Sequence, residues 1–142
     1  MKKGINSLVI DVNIWVKWAA NKRIGIWLEA FGEFGIELIG SPMLLEEMKD
    51  VLSRPFFTKL SKNQIDIDKF VHELSQIITI LEYHKVTFNC PDSDDEYLIE
   101  AAFKANTTLV TNDKSLLEWE HSPVKIISLE DLRIQMNQLL FP

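Results

Sequence analysis

Short, almost uniformly apolar runs alternate along the chain with longer segments whose apolar positions recur every three or four residues. The runs lie at 5–11, 36–40, 85–89, 107–111 and 124–127, and the run at 85–89 is the weakest. Runs without strict apolar–polar alternation are typical of strands that are buried on both faces, as in parallel sheets. The pattern predicts an α/β fold: a three-layer sandwich with a central parallel sheet of about five strands and helices on both faces.

Helix-start signals mark several of the segments between these strands. Ser41 at a cap position and Pro42 at the first helical position predict a helix that runs to about Leu52. Ser61 and Gln64 form a capping box for a helix whose apolar positions continue to Leu81. Further helices are predicted at 14–20, at 24–34, from Asp92–Asp95 through Ala105, after Asp113 and after Ser128.

Length and composition predict one domain that spans residues 1–142. The 142 residues are 46% hydrophobic and 25% charged, which suffices for a buried core. There is no apolar segment near the ~20 residues that a bilayer-spanning helix needs. The single cysteine, Cys90, cannot form an internal disulfide, which suits a reducing compartment. We therefore expect a cytoplasmic protein.

Charge is distributed unevenly. The net charge is −6 and the pI is near 5.0, which taken alone argues against a nucleic-acid partner. Residues 91–120, however, hold eight acidic residues against two lysines. This concentration of carboxylates favours a cation-binding site.

Several acids lie where predicted strands end and helices begin. Asp11 and Asp113 follow apolar strands, and Asp92, Asp94 and Asp95 form a dense acidic turn. Each of them could simply cap a helix, and Asn13 could be the cap that leaves Asp11 free to bind a ligand. Because the ligand sites of parallel α/β sheets lie beyond the carboxyl ends of the strands, we expect the acids to share one edge of the sheet.

Two adjacent glutamates on the helix after Pro42 differ in predicted exposure. At about 100° per residue, the apolar positions of this helix form one stripe. Glu46 lies nearly opposite the stripe and should be solvated. Glu47 lies at its edge, where its carboxylate could reach the ends of the strands.

Four segments together resemble the PIN domain family, specifically its small bacterial and archaeal members that act as toxins of toxin–antitoxin pairs. The similar segments are Leu8–Asn13, Ser41–Pro55, Asp92–Ala102 and Leu109–Leu117. The resemblance implies that Asp11, Glu47, Asp95 and Asp113 form the catalytic and metal-binding quartet, supported by Asn13, Ser41 and Thr111. Ser93 replaces a usual proline and Asn112 a usual glycine, and the alignment leaves open which of Asp92, Asp94 and Asp95 binds metal.

The predicted quartet has a direct chemical consequence. Two carboxylates ~5 Å apart repel each other by roughly 3 kcal/mol at an effective dielectric of ~20. Mg²⁺ or Mn²⁺ would compensate this charge and assist hydrolysis of a phosphodiester bond. The resemblance implies a metal-dependent endoribonuclease, a toxin that is restrained by a small antitoxin protein and forms homodimers. A metal-dependent phosphatase, a DNA nuclease and a non-catalytic nucleic-acid-binding module are the alternatives.

An acidic site needs basic residues along the approach of RNA. Arg54, Lys59 and Lys62, beside Phe56 and Phe57, are candidate RNA contacts. A second candidate comprises Lys17, Lys22 and Arg23 beside the tryptophans at 15, 18 and 27. Such aromatic residues are more often part of a core or an oligomer contact.

Overall fold

A computed structural model of the chain describes residues 6–55, 66–82 and 88–140, without the side chains of 138–140. These residues form five strands and seven α-helices around one core. The strands are β1 (Ser7–Ile10), β2 (Glu37–Gly40), β3 (Thr79–Ile80), β4 (Thr108–Val110) and β5 (Ile126–Ile127). The helices are α1 (Val12–Ala20), α2 (Ile24–Glu33), α3 (Pro42–Leu52), α4 (Ile67–Ile77), α5 (Glu96–Lys104), α6 (Lys114–Leu117) and α7 (Leu129–Leu140), and a 3-10 turn (Ser93–Asp95) precedes α5.

All strand pairs are parallel, and the order of the strands across the sheet is β3-β2-β1-β4-β5. The predicted α/β sandwich is confirmed. The chain leaves β1 toward β2 and β3 on one side, whereas β4 and β5 lie on the other. The order therefore reverses between β1 and β4. In open α/β sheets, this reversal opens a crevice at the carboxyl ends of the strands.

The third strand differs from the prediction. It is Thr79–Ile80, and the predicted strand at 85–89 lies mostly outside the described residues. The helix predicted to continue to Leu81 ends at Ile77, because Thr79 and Ile80 pair with Ile39 and Gly40 of β2. β-Branched residues suit this pairing, which prevails over the helical spacing of the sequence.

The helix starts agree with most of the sequence signals. The Ser41 hydroxyl accepts the Leu44 N–H at 3.3 Å, and the Ser128 hydroxyl accepts the Asp131 N–H at 3.0 Å. The capping box at Ser61 and Gln64 lies outside the described residues, and the described helix α4 has Asp66 as its cap. None of the helices in the described part of the chain has the length and apolar character that crossing a bilayer requires.

The tryptophans of the first two helices belong to the core. Trp15 and Trp18 are buried, and the Trp18 ring stacks on Trp27 with 4.8 Å between ring centroids. The Arg133 guanidinium of α7 lies 5.9 Å from the Trp27 ring centroid, a cation–π distance. Trp15 and Trp18 are therefore packing residues and cannot form an RNA-stacking surface.

Candidate metal-binding active site

Asp11 lies directly after β1 and has two structural partners. One carboxylate oxygen, Oδ1, accepts the Asn13 backbone N–H at 3.1 Å, so Asp11 is itself the cap of α1. The other, Oδ2, accepts the Thr111 hydroxyl at 2.7 Å. The alternative in which Asn13 caps the helix is wrong, because Asn13 lies within α1 and its side chain is exposed. Capping fixes the orientation of Asp11 without preventing a further oxygen ligand role.

Thr111 connects the ends of β1 and β4. Its buried hydroxyl donates to Asp11 and accepts the Asp113 N–H at 3.1 Å. Asp113 in turn caps α6, because its Oδ1 accepts the Ser115 N–H at 2.9 Å and the Ser115 hydroxyl at 2.8 Å. A single threonine side chain thus holds the Asp11 carboxylate and the Asp113 backbone N–H, at the ends of two neighbouring strands.

Asp95, at the end of the 3-10 turn, joins these two acids. Burial, followed by the charges of Asp11, Asp92 and Asp113, raises the pKa of Asp95 to about 7. The proximity of the Asp113 side chain adds to this increase. The structure therefore brings Asp11, Asp95 and Asp113 into one electrostatically coupled cluster, which we call the acid cluster.

Burial also dominates the electrostatics of Asp11. It raises the pKa of Asp11 above the ordinary value of 3.8, although the hydrogen bonds from Thr111 and Asn13 lower it in part. The charge of Asp113 adds to the increase. Two of the three cluster acids thus have raised pKa values, as expected for carboxylates held together without a compensating cation.

The other acids of the turn have different positions. Asp92 is exposed, and its Oδ1 accepts the Asp94 N–H at 2.9 Å. Asp94 is also exposed and faces a neighbouring cavity. Of the three acids that the sequence left open, Asp95 is the one whose pKa reflects both Asp11 and Asp113.

Glu47 lines a cavity of about 470 Å³ together with Ser93 and Asp94, which directly precede Asp95, but its charge is not among those that raise the pKa of Asp11 or of Asp95. It is half-buried and its neighbour Glu46 is exposed, as the spacing along α3 predicts. Ser41, besides capping α3, lines the same cavity.

Two acids of α5 were missed by the sequence reasoning as site residues. Glu96 and Glu100 are buried, with 7% and 5% of their surface exposed, and both line the cavity. The signal that could have found them is their spacing of four residues, which places them on one face of the helix. Glu100 also lies between apolar residues, Ile99 and Ala101, that are buried.

The candidate RNA contacts are tested only in part. Arg54 is exposed and forms an ion pair with Asp50, with 2.9 Å between Nη2 and Oδ2. Lys59 and Lys62 lie outside the described residues. Their role remains a prediction.

The donor set of the acid cluster fits a hard divalent cation. Mg²⁺ prefers oxygen ligands and is usually held by one or two carboxylates with several retained waters. Among the described residues, no three acidic, histidine or cysteine side chains are already spaced to enclose one ion. The fit therefore rests on the carboxylate chemistry and the raised pKa values, and water would complete the coordination.

Comparison with known proteins identifies the family. Residues 7–115 match the family model described as PIN domain, and this is more than half of the chain. The protein belongs to the PIN domain family. PIN domains are generally nucleases, and these usually use divalent metals.

A solved structure agrees with the fold. The crystal structure of PAE2754 from Pyrobaculum aerophilum is similar with a TM-score of 0.60 and 16% sequence identity, over 96% of this chain and 99% of that one. At this identity the likeness concerns the fold alone. Comparison with curated proteins gives no significant match.

Proposed function

We propose that the protein is a Mg²⁺- or Mn²⁺-dependent endoribonuclease whose active site is the acid cluster together with Glu47. The observation that carries the proposal is the meeting of Asp11, Asp95 and Asp113, from three different elements, at the point where the strand order reverses. The pKa of Asp95, which burial and the neighbouring acids raise to about 7, supports the proposal because a divalent cation would offset the negative charge of these acids.

The residues of the chain have separable roles in this proposal. Asp11 and Asp95 would be direct ligands, with Asp113 and Glu47 completing the set directly or through water. Thr111 holds the Asp11 carboxylate and the Asp113 backbone, and Ser115 holds the Asp113 carboxylate, which reduces reorganisation on binding. A bound divalent ion would lower the pKa of a coordinated water and stabilise charge on the attacked phosphate.

Neutralising one ligand tests the proposal. Asp11→Asn keeps a side chain of the same size that can still cap α1, but it removes a charge from the cluster. We expect the folded variant to lose Mg²⁺-dependent cleavage of single-stranded RNA and to bind Mn²⁺ more weakly in calorimetry. Asp131→Asn, at an exposed position of α7, is the matched control. Parent-rate cleavage by folded Asp11→Asn would refute the assignment.

The choice of substrate separates the alternatives. The same preparation is assayed with single-stranded RNA, with single-stranded DNA and with a phosphate monoester. Preference for DNA or for the monoester would favour the DNA nuclease or the phosphatase. Mn²⁺ binding without any cleavage would favour a non-catalytic module.

Basic residues near this acidic site would bind the phosphates of the RNA backbone and bring the RNA to the site. We propose Arg54, Lys59 and Lys62, so reversing all three to Glu should reduce the salt dependence of RNA binding by about 2 units of slope. Lys104→Glu with Lys125→Glu is the control. Lys104 is the last residue of α5, Lys125 directly precedes β5, and both are exposed. An unchanged slope in the triple variant would exclude this route.

We also propose that the protein is a growth-inhibiting toxin that is restrained by a small antitoxin and forms homodimers. The resemblance of its four motifs to the toxin members of the family supports the toxin role. The exposed apolar side chains of Ile26 of α2 and Ile134 of α7, 61% and 47% exposed, support the homodimer, because they offer apolar surface to a second copy. Inducible expression should arrest growth, and Ile26→Lys with Ile134→Lys should convert a dimer to monomer in light scattering. Normal growth with active nuclease would refute the toxin role.

A further inference from the structure

The cavity beside the acid cluster has apolar walls at its mouth. Pro42 and Met43, from the first turn of α3, and Leu81, directly after β3, line it together with Tyr97 of α5. Met43 is 46% exposed although it is a large apolar residue. Thioether and aromatic groups are suited to contact the face of a flat ring. The volume of about 470 Å³ lies within the range of small-molecule sites in proteins.

The interior of the cavity contains a buried carboxylate without a partner. Glu96 is only 7% exposed, and its carboxylate takes part in no hydrogen bond or ion pair in the described structure. The Glu96 oxygens are not among the fully buried side-chain atoms that lack a hydrogen-bond partner in the described residues, so they keep contact with the solvent of the cavity. Glu96 can therefore accept hydrogen bonds from a ligand that carries N–H donors.

The cavity is also adjacent to the acid cluster. Ser93 and Asp94 line it and directly precede Asp95 in the chain. Ser41, another lining residue, follows β2, which pairs with the strand that ends at Asp11. Because paired strands lie about 4.8 Å apart, a ligand in the cavity is within one nucleotide of the cluster.

We propose that this cavity binds one unstacked base of single-stranded RNA next to the scissile phosphate, and that Glu96 makes it selective for guanine. The inference rests on the proposed ribonuclease function. Proteins read single-stranded RNA by stacking unpaired bases and bonding their Watson–Crick edges. Guanine offers two adjacent donors there, N1–H and N2–H, which match the two oxygens of a carboxylate. Uracil offers one N–H between two carbonyl groups, which the acidic lining repels.

The lining charges favour a neutral base over other parts of the nucleotide. Glu47, Asp94 and Glu100 line the cavity together with Glu96, so a phosphate would be repelled from it. The exocyclic amine of a purine adds donors without adding negative charge. The phosphate would remain outside, toward the acid cluster.

Mapping of cleavage sites tests the selectivity. A pool of single-stranded RNA with random sequence is digested in Mg²⁺, and the ends of the products are sequenced. We expect guanine to exceed uracil at one fixed position by about tenfold, the discrimination that one bidentate pair provides. Glu96→Gln should move the preference toward adenine, because a carboxamide donates to adenine N1 and accepts from its N6 amine. Glu46→Gln, exposed and outside the cavity, should keep the parent preference.

A binding measurement covers the case in which a variant does not fold. Guanosine and uridine, which carry no phosphate, are titrated into the metal-free parent protein, and the methyl NMR signal of Met43 is followed. We expect guanosine to shift this signal at about tenfold lower concentration than uridine. Met43→Ala assigns the signal and should weaken guanosine binding.

The outcomes separate this inference from the proposed function. Cleavage without base preference, or with the same preference in folded Glu96→Gln, overturns the base pocket and leaves the nuclease intact. Guanosine binding without cleavage of any RNA overturns the nuclease and retains the base site. A shift of the Met43 signal by guanidinium or Mg²⁺ alone, and none by guanosine, identifies a cation site and overturns the inference.

Discussion

The Thr111 hydroxyl donates a 2.7 Å hydrogen bond to the Asp11 carboxylate, although the two residues are 100 positions apart in the chain. Both are buried, Thr111 completely and Asp11 to 96%. The same hydroxyl accepts the Asp113 N–H, so one side chain links the carboxyl ends of two neighbouring strands. This relationship makes the geometry of the acid cluster depend on the stability of the sheet.

Thr111→Val should destabilise the protein at neutral pH. Valine has the shape of threonine but no hydroxyl, so it leaves a buried carboxylate oxygen without its donor. We expect the free energy of unfolding to fall by about 1–3 kcal/mol in urea titrations. Thr111→Ser, which keeps the hydroxyl, should lower the free energy of unfolding by less. Equal losses in both variants would mean that packing of the methyl group, and not the hydrogen bond, is responsible.

The stability of the metal-free protein should fall as the pH rises from about 4 to about 7. The pKa of Asp95 is 3.8 when unperturbed and about 7 in the folded protein, so the folded state holds an extra proton throughout this window. Releasing that proton favours the unfolded state, and the raised pKa of Asp11 acts in the same direction. Urea unfolding at four pH values measures how the free energy of unfolding changes with pH and checks this prediction.

Asp95→Asn should flatten this pH dependence, because the side chain no longer titrates. Glu46→Gln should leave the slope at its parent value. Mg²⁺ should stabilise the parent more at pH 8 than at pH 5, since metal ions and protons compete for the same carboxylates. A stability that rises with pH across the same window would contradict the environment described for Asp95.

Glu47→Gln and Glu46→Gln form a matched pair on one helix. Glu47 is half-buried and lines the cavity, whereas Glu46 is exposed. We expect Glu47→Gln to weaken Mn²⁺ binding or RNA cleavage by about 10–100-fold, the usual effect of removing a supporting group near a metal. Glu46→Gln should change Mn²⁺ binding and RNA cleavage by no more than about twofold. Similar effects of the two variants would remove Glu47 from the site.

Gly40→Ala should disturb the packing around the end of β2. A Cβ at Gly40 would lie 2.8 Å from Ile78 Cγ2 and 2.9 Å from Leu44 Cδ2, which is closer than side chains tolerate. We expect a loss of about 1–3 kcal/mol in the free energy of unfolding, as for other overpacked cores. Gly32→Ala is the control, because a Cβ there meets nothing within 4 Å and alanine favours the helix. A neutral Gly40→Ala would show that the Ile78 and Leu44 side chains can shift to accommodate the methyl group.

Local chemistry explains which features the sequence could predict. The caps at Ser41, Asp113 and Ser128 depend on residues a few positions apart, so their signals are complete within the sequence. The parallel sheet is predictable because strands that are buried on both faces must be apolar at every position. The helix predicted to continue to Leu81 was too long because helical spacing and β-branched residues overlap at 77–80, and only pairing with β2 decides between them.

The amino-acid sequence by itself determined that carboxylates end buried strands, that the fold is α/β and that the chain resembles PIN domains. Only the tertiary structure decided that Asp95, of the three acids in its turn, carries the raised pKa, and that Glu96 and Glu100 line a cavity. The physical reason is the distance along the chain over which each interaction acts. Propensity and capping act over a few residues, whereas burial and the coupling of charges depend on groups that the sheet brings together from distant parts of the chain.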